Sequence, residues 1–115
     1  MFDFEKLEVY QKAKLFHLKI ASYLEQTTLS SSERDQLKRA SMSIVLNIAE
    51  GSGRFTKPDK RNFYVIARGS VFETVAILDL LQTLNSLEKP THQEFYLHAE
   101  ELSKMLFALI RGLNG

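Results

Sequence analysis

Apolar residues recur in steps of three and four along most of the chain. The clearest series is Phe95, Ala99, Leu102, Leu106, Leu109 and Leu113. Two others are Val9, Ala13, Phe16, Ile20 and Tyr23, and then Leu37, Ser41, Ile44 and Ile48. An average step of about 3.5 residues is typical of helices that pack in a left-handed bundle. The pattern therefore predicts helices that each turn one apolar stripe toward a common core.

Capping boxes and prolines mark the positions where the predicted helices begin. Ser30 and Glu33 have the spacing of a capping box, in which each side chain bonds to the other residue's backbone N–H. Residues 91–94 repeat this spacing directly after Pro90, which we place in the preceding turn. Pro58 suits the first turn of a helix, where a missing N–H costs nothing.

These signals predict four helices, near residues 5–27, 32–50, 57–86 and 92–113. Because short connections make sequential helices antiparallel neighbours, we expect an all-α, up-down-up-down four-helix bundle. With only two prolines and five glycines, the chain has few residues for the many turns of an all-β fold. A length of 115 residues suits one domain, spanning residues 1–115.

The third helix carries a carboxylate in its apparent apolar stripe. That stripe is Phe63, Ile66, Ser70, Glu73, Ile77, Leu80 and Leu84. A buried carboxylate without a partner is very costly. Antiparallel pairing with the second helix places Arg39 about one turn from the position that faces Glu73. We therefore predict an Arg39–Glu73 ion pair.

Other polar residues extend this predicted polar core. Asn47 interrupts an apolar run at residues 42–49, and Glu50 follows that run. Arg54, Arg61 or Arg68 would serve as cationic partners for this group. The full set of predicted structural polar residues is Arg39, Asn47, Glu50, Arg68, Ser70 and Glu73.

Two helices carry more apolar residues than one core stripe needs. The first helix is apolar on nearly every side, and the fourth adds Tyr96, Met105, Phe107 and Ile110 outside its stripe. Surplus apolar faces often become contacts between subunits, which predicts a homo-oligomer. The alternative is a large core with ordinary exposed apolar atoms.

Positive charge is concentrated in the middle of the chain. Residues 34–68 hold eight Lys and Arg against three Asp and Glu, although the whole chain is at +1. Arg54, Lys57, Lys60 and Arg61 cluster at the turn between the second and third helices, which makes them candidate phosphate contacts for RNA or DNA. The alternative is a solvated basic turn.

Two aromatic residues lie beside this basic turn. Phe55 or Tyr64 would be able to stack on a base, although aromatic residues at such positions are more often part of the core.

Several kinds of site find no support in the sequence. The chain has no Cys, which excludes disulfides, thiolate zinc sites and a Cys nucleophile. It has no Glu-x-x-His motif for a di-iron centre, and Gly51 and Gly53 lack the spacing of a phosphate-binding loop. We predict no catalytic residues, no metal and no cofactor. The longest uncharged stretch, residues 40–49, is too short for a membrane span, which favours a cytoplasmic protein without membrane contact.

Three segments resemble a known family. They are FEKLEVYQKA at residues 4–13, LKRASMSIVLNIAEGSG at 37–53 and FYVIARGSVFE at 63–73. The chain is similar to small bacterial four-helix bundle proteins encoded in intervening sequences of large-subunit ribosomal RNA genes. It is similar also to the accessory protein of diversity-generating retroelements.

The resemblance has consequences for assembly and partners. It implies a homo-oligomer, in known cases a ring of five, and no enzymatic activity. The retroelement relative is a basic pentameric barrel that works with a reverse transcriptase and nucleic acid. Two hypotheses follow for this chain: a ring-forming module that binds RNA or DNA, or a scaffold that binds a protein partner.

Overall fold

The protein is an all-α four-helix bundle, as predicted. A computed structural model describes residues 1–114. A 3₁₀ turn at Asp3–Lys6 precedes α1 (Glu8–Leu24), α2 (Ser31–Ser52), α3 (Lys57–Thr83) and α4 (Lys89–Gly112). Each helix packs against the next one, and α1 also packs against α4, which closes the bundle. Within residues 1–114, no helix is both long enough and apolar enough to cross a membrane.

The starts of α2 and α3 follow the sequence signals. The Glu33 N–H donates to Ser30 Oγ over 3.1 Å, and the Glu33 carboxylate accepts from the Ser30 N–H over 3.2 Å. The capping box before α2 is therefore confirmed. At α3, the Asp59 N–H donates to Thr56 Oγ1 over 3.2 Å, and Pro58 lies in the first turn.

The start of α4 differs from the prediction. The helix begins at Lys89, its N-cap is Glu88, and Pro90 lies inside the first turn instead of in the turn before it. The capping box predicted at residues 91–94 is therefore wrong. Pro90 fits the first turn for the same reason as Pro58, since its missing N–H would have no helical partner there.

The predicted stripes of α1, α2 and α4 form most of the core. Phe16 and Ile20 of α1 and Ile44 of α2 are fully buried. The rings of Phe16 and Phe95 meet edge to face, with their centroids 6.3 Å apart. At the end of α4 the buried residue is Ile110, whereas the predicted Leu109 is half-buried.

The predicted stripe of α3 is wrong by one position over most of its length. The buried residues of α3 are Tyr64, Ala67, Ser70, Val71, Thr74, Leu78 and Leu81. Glu73 is exposed, Arg39 is exposed, and no ion pair joins them within residues 1–114. The observed stripe is as regular as the predicted one, but it has Ala67 in place of Ile66 and Thr74 in place of Glu73. Counting large apolar residues favours the predicted stripe, whereas close packing between helices favours the smaller residues of the observed stripe.

Small side chains line the contact between α2 and α3. Ser43 Oγ and Ser70 Oγ share a hydrogen bond of 2.9 Å. Near the end of α2, Gly51 is buried against α3, and a Cβ atom there would lie 2.7 Å from Cε1 of Tyr64. The Tyr64 ring is itself buried, so it has little room to move. Gly51 therefore sets how closely the two helices approach.

We expect Gly51→Ala to lower the free energy of unfolding by about 1–3 kcal/mol relative to Gly53→Ala, because overpacking forces side chains and backbone to shift. Gly53 is a matched control, since an added Cβ would have only ordinary contacts, the nearest at 3.6 Å. Urea unfolding of the two variants measures the difference. Equal free energies of unfolding for the two variants would show that the α2–α3 contact accommodates the added Cβ atom without cost.

A histidine connects α1 to α2 at the edge of the core. His17 Nδ1 lies 2.7 Å from Ser41 Oγ, and the Ser41 hydroxyl donates to the Lys38 carbonyl over 3.1 Å. Because the hydroxyl proton is used in that bond, we assign the Nδ1 proton of His17 to a bond donated to Ser41. Burial and, secondarily, the charge of Lys38 lower the pKa of His17.

Stability should therefore fall as the pH falls below the ordinary histidine pKa. The unfolded chain then binds a proton at residue 17 before the folded chain does, which favours unfolding. Between about pH 7.5 and about pH 5.5, a range that brackets this pKa, wild-type protein should lose more stability than His17→Asn in urea unfolding. The lowered pKa of Glu101, caused by its bond to Lys12, acts only in a more acidic range. Identical pH profiles for the two proteins would contradict this role of His17.

Candidate nucleic-acid interface

The four predicted phosphate contacts lie at one end of the bundle, around the connection between α2 and α3. Residues 53–56 form this connection. The N–H of Gly53 donates to the Glu50 carbonyl over 3.1 Å, and that of Arg54 donates to the Gly51 carbonyl over 3.2 Å. These bonds complete the end of α2, so Gly51 and Gly53 belong to a helix terminus and a turn.

Arg54 and Lys60 have structural contacts that hold the connection between α2 and α3. The Arg54 guanidinium pairs with the Glu50 carboxylate over 3.1 Å and lies 4.4 Å from the centre of the Phe63 ring. The Lys60 ammonium donates to the Ser52 carbonyl over 2.9 Å, at the negative end of the α2 dipole. Both contacts hold the connection in shape, and Glu50 compensates part of the charge of Arg54.

The other two cations extend the basic surface. Arg61 Nε donates to Asn114 Oδ1 over 2.9 Å, which places the end of the chain at the same end of the bundle. Lys57 is exposed at the start of α3. Residues 54–61 therefore carry four positive charges, from Arg54, Lys57, Lys60 and Arg61, and one negative charge, from Asp59.

The two aromatic candidates for base stacking have opposite environments. Phe55 is 100% exposed at the tip of the connection, between Arg54 and Lys57. Tyr64 is 4% exposed and belongs to the core, and burial raises its pKa. The expectation that both are core residues is right for Tyr64 and wrong for Phe55. A fully exposed Phe contributes nothing to the packing of the single chain.

The predicted polar core separates into unconnected parts. Asn47 Nδ2 donates to the Ser43 carbonyl over 2.8 Å and contacts Ser43 Oγ over 3.0 Å, which links Asn47 through Ser43 to Ser70. Glu50, in contrast, lies on the surface with Arg54. Of the predicted polar core, the uncharged Asn47 and Ser70 thus remain at the α2–α3 contact, whereas the predicted ion-pair members Arg39, Glu50 and Glu73 are exposed, since charged groups lose more free energy on desolvation.

Arg68 belongs to a cluster with two aromatic rings that was not predicted from the sequence. Its Nε donates to the Ser103 carbonyl of α4 over 3.2 Å. The guanidinium carbon lies 4.9 Å from the centre of the Phe72 ring and 5.5 Å from that of Phe107. The available signal was the spacing of Arg68 and Phe72, four residues apart on one helix. Nothing in the spacing indicated that Phe107 meets them from α4.

The opposite end of the bundle has an open cleft of about 960 Å³ between the α1–α2 and α3–α4 connections. Its lining is mainly hydroxyl and amide side chains, together with Glu88 and Lys89. Such groups offer hydrogen bonds and carry little acid–base chemistry. In residues 1–114, no three His, Asp or Glu side chains come close enough together to hold a metal ion.

The fold has a counterpart among solved structures. A protein of unknown function from the S23 ribosomal protein family of Bacteroides thetaiotaomicron VPI-5482 superposes with a TM-score of 0.83 at 24% sequence identity. The match covers 89% of this chain and 97% of that one. At this identity the likeness establishes the shared fold alone. No curated protein matches the chain.

The sequence also matches a family model over residues 5–108, a span that includes all four helices except for the last turn of α4. The matched segment contains the connection between α2 and α3 as well as the α2–α3 contact. The chain belongs to the 23S rRNA-intervening sequence protein family.

Proposed function

We propose that this protein is a non-enzymatic homo-oligomer that binds RNA through the connection between α2 and α3. Phe55 is the observation that carries the RNA-binding part. It is fully exposed, follows Arg54 directly and precedes Lys57 by two residues, a combination that suits a base stacked on the ring with phosphates nearby. The family name associates these proteins with ribosomal RNA genes, which makes RNA our first choice of nucleic acid and DNA the second.

The charges around Phe55 support contacts to the phosphate backbone. Arg54, Lys57, Lys60 and Arg61 lie within six residues of Phe55 in the chain, near the positive end of the α3 dipole. Contacts of this kind do not depend on sequence and weaken as salt increases. The local contacts of Arg54 and Lys60 orient their side chains and leave N–H groups for a phosphate oxygen.

Exposed apolar side chains support the homo-oligomer. Large apolar residues of α3 and α4 are 40% exposed or more, among them Ile66, Phe72 and Leu80 of α3 and Phe107 of α4. A single bundle gains nothing from these side chains, whereas a subunit contact would remove them from water. The family resemblance favours five copies. Such a ring would place five connections on one rim and multiply a weak contact with RNA.

The test of RNA binding is fluorescence anisotropy with a single-stranded 23S rRNA fragment, at about 50 mM and about 200 mM salt. Wild-type protein should bind, and its affinity should fall with salt. Phe55→Ala should bind about 5–150 times more weakly, since a stacked base contributes about 1–3 kcal/mol. Lys57→Gln should weaken binding and lower the salt dependence by about one phosphate contact.

Lys89→Gln is the matched control, because Lys89 is an exposed lysine at the start of α4, at the opposite end of the bundle. It should bind as wild type does. Absence of binding by wild-type protein at the lower salt concentration would refute the RNA-binding part of the proposal. Equal loss in Lys57→Gln and Lys89→Gln would indicate attraction by overall charge and would refute the assignment to this connection.

A scaffold for a protein partner is the second candidate function. The same exposed apolar residues favour it, since they would serve a different polypeptide as well as a second copy. The two candidates differ in what they require of the basic end. A scaffold would keep its partner when Phe55 and Lys57 are replaced, whereas an RNA-binding protein would lose its ligand.

A further inference from the structure

α3 exposes large apolar residues on two separate sides. On the side toward α2, Ile66 and Leu80 flank Glu73 at spacings of seven residues, and Leu80 is 61% exposed. On the side toward α4, Phe72 is 57% exposed and lies beside Phe107, with which it lines a cavity of about 430 Å³. A helix in a single bundle needs one apolar stripe, and α3 already has one in its buried residues. We call the first side the Glu73 surface and the second the Arg68 surface.

The Arg68 surface holds a fixed guanidinium without a carboxylate. The bond from Arg68 to the Ser103 carbonyl and the two aromatic rings keep the group in place. Within residues 1–114, no Asp or Glu lies at ion-pair distance from it. Arg61 lines the same cavity and adds a second positive charge. A planar guanidinium held between apolar groups is well suited to binding a carboxylate through two parallel hydrogen bonds.

The Glu73 surface presents the complementary group. Glu73 is exposed, with Ile66 and Leu80 two turns away on either side along α3, and it forms no ion pair in the described part of the chain. Arg39 lines the same shallow cavity as Glu73 and remains beyond ion-pair distance. An exposed carboxylate without an ion-pair partner meets the chemical requirement of the Arg68 surface. The two surfaces lie on different sides of one helix, so the groups cannot meet within one chain.

We propose that the Arg68 surface of one copy binds the Glu73 surface of a second copy, with the Glu73 carboxylate accepting hydrogen bonds from the Arg68 guanidinium. This inference rests on the homo-oligomer of the proposed function and names its contact. Ile66 and Leu80 of one copy cover Phe72 and Phe107 of the other, which removes both apolar surfaces from water. Because two different surfaces meet, the contact is head-to-tail and leads to a ring or a filament. A two-fold contact between two Arg68 surfaces would instead bring like charges together.

The test blocks each surface with a substitution and measures the mass of the resulting species by analytical ultracentrifugation. Phe72→Glu blocks the Arg68 surface, and Leu80→Glu blocks the Glu73 surface. Each variant alone should be monomeric, because every contact needs both surfaces. An equimolar mixture should form one-to-one dimers and no larger species, because one intact surface of each kind remains. Leu18→Glu is the matched control, since Leu18 is 55% exposed on α1 and belongs to neither surface. It should assemble as wild type does.

Charge reversal tests the ion pair itself. Arg68→Glu and Glu73→Arg should each weaken self-association at least about tenfold, and the double variant should recover it, because the pair is then restored with the charges exchanged. Circular dichroism checks that each variant is still helical. Recovery in the double variant distinguishes a lost contact from a damaged fold.

The outcomes separate this inference from the proposed function. If wild-type protein assembles and neither Phe72→Glu nor Leu80→Glu changes its mass, the named surfaces are wrong and the homo-oligomer remains. Dissociation by Phe72→Glu alone would indicate a two-fold contact and refute the head-to-tail arrangement. If Arg68→Glu keeps the wild-type mass and instead loses the RNA fragment, the Arg68 surface binds RNA. A monomeric wild-type protein would refute both the inference and the homo-oligomer.

Discussion

The close approach of α2 and α3 is the constraint on which the other features of the molecule depend. Gly51 leaves room for the Tyr64 ring, and Ser43 meets Ser70 at hydrogen-bond distance. Small side chains let the two backbones approach, and every buried hydroxyl in the contact finds a partner. The buried stripe of α3 includes Ser70 and Thr74, whereas Ile66, Phe72 and Leu80 are exposed. The surfaces around Glu73 and Phe72 are therefore a consequence of how α3 packs inside the bundle.

The fold could be predicted because its signals are local. Ser30 and Glu33 mark the start of α2 through bonds between residues three apart, and the apolar series of α1 and α4 repeats over several turns. The register of α3 could not be predicted in the same way. Two stripes with nearly the same spacing compete on that helix, and the choice between them depends on the residues of α2 and α4 that pack against it. The prediction wrongly placed Glu73 in the core because the residues of α2 and α4 that decide which side of α3 is buried lie far from it in sequence.

The candidate site was predicted in part for the same reason. Arg54, Lys57, Lys60 and Arg61 were identified because their charges are close together in sequence. The exposure of Phe55 was not predicted, since an aromatic residue between a helix end and a helix start is usually buried. Here the bonds of Gly53 and Arg54 complete α2, and Thr56 caps α3. These two local structures leave Phe55 at the tip of a short connection, where no part of the bundle reaches it.

The proposed contact between copies and the proposed contact with RNA lie on different parts of the bundle, so one does not block the other. The surfaces of Arg68 and Glu73 lie along the side of α3, whereas the connection with Phe55 lies at the end of the bundle. Copies that associate side by side in a ring about an axis along the helices keep their connections on one rim and leave Phe55 exposed. In the proposed function, a single connection with four cations would bind RNA weakly at physiological salt, since exposed charges are screened over about 8 Å. Several connections on one rim would contact successive phosphates of the same strand, and each contact would raise the effective concentration for the next. Assembly through α3 would thus turn a modest basic turn into a continuous surface for RNA.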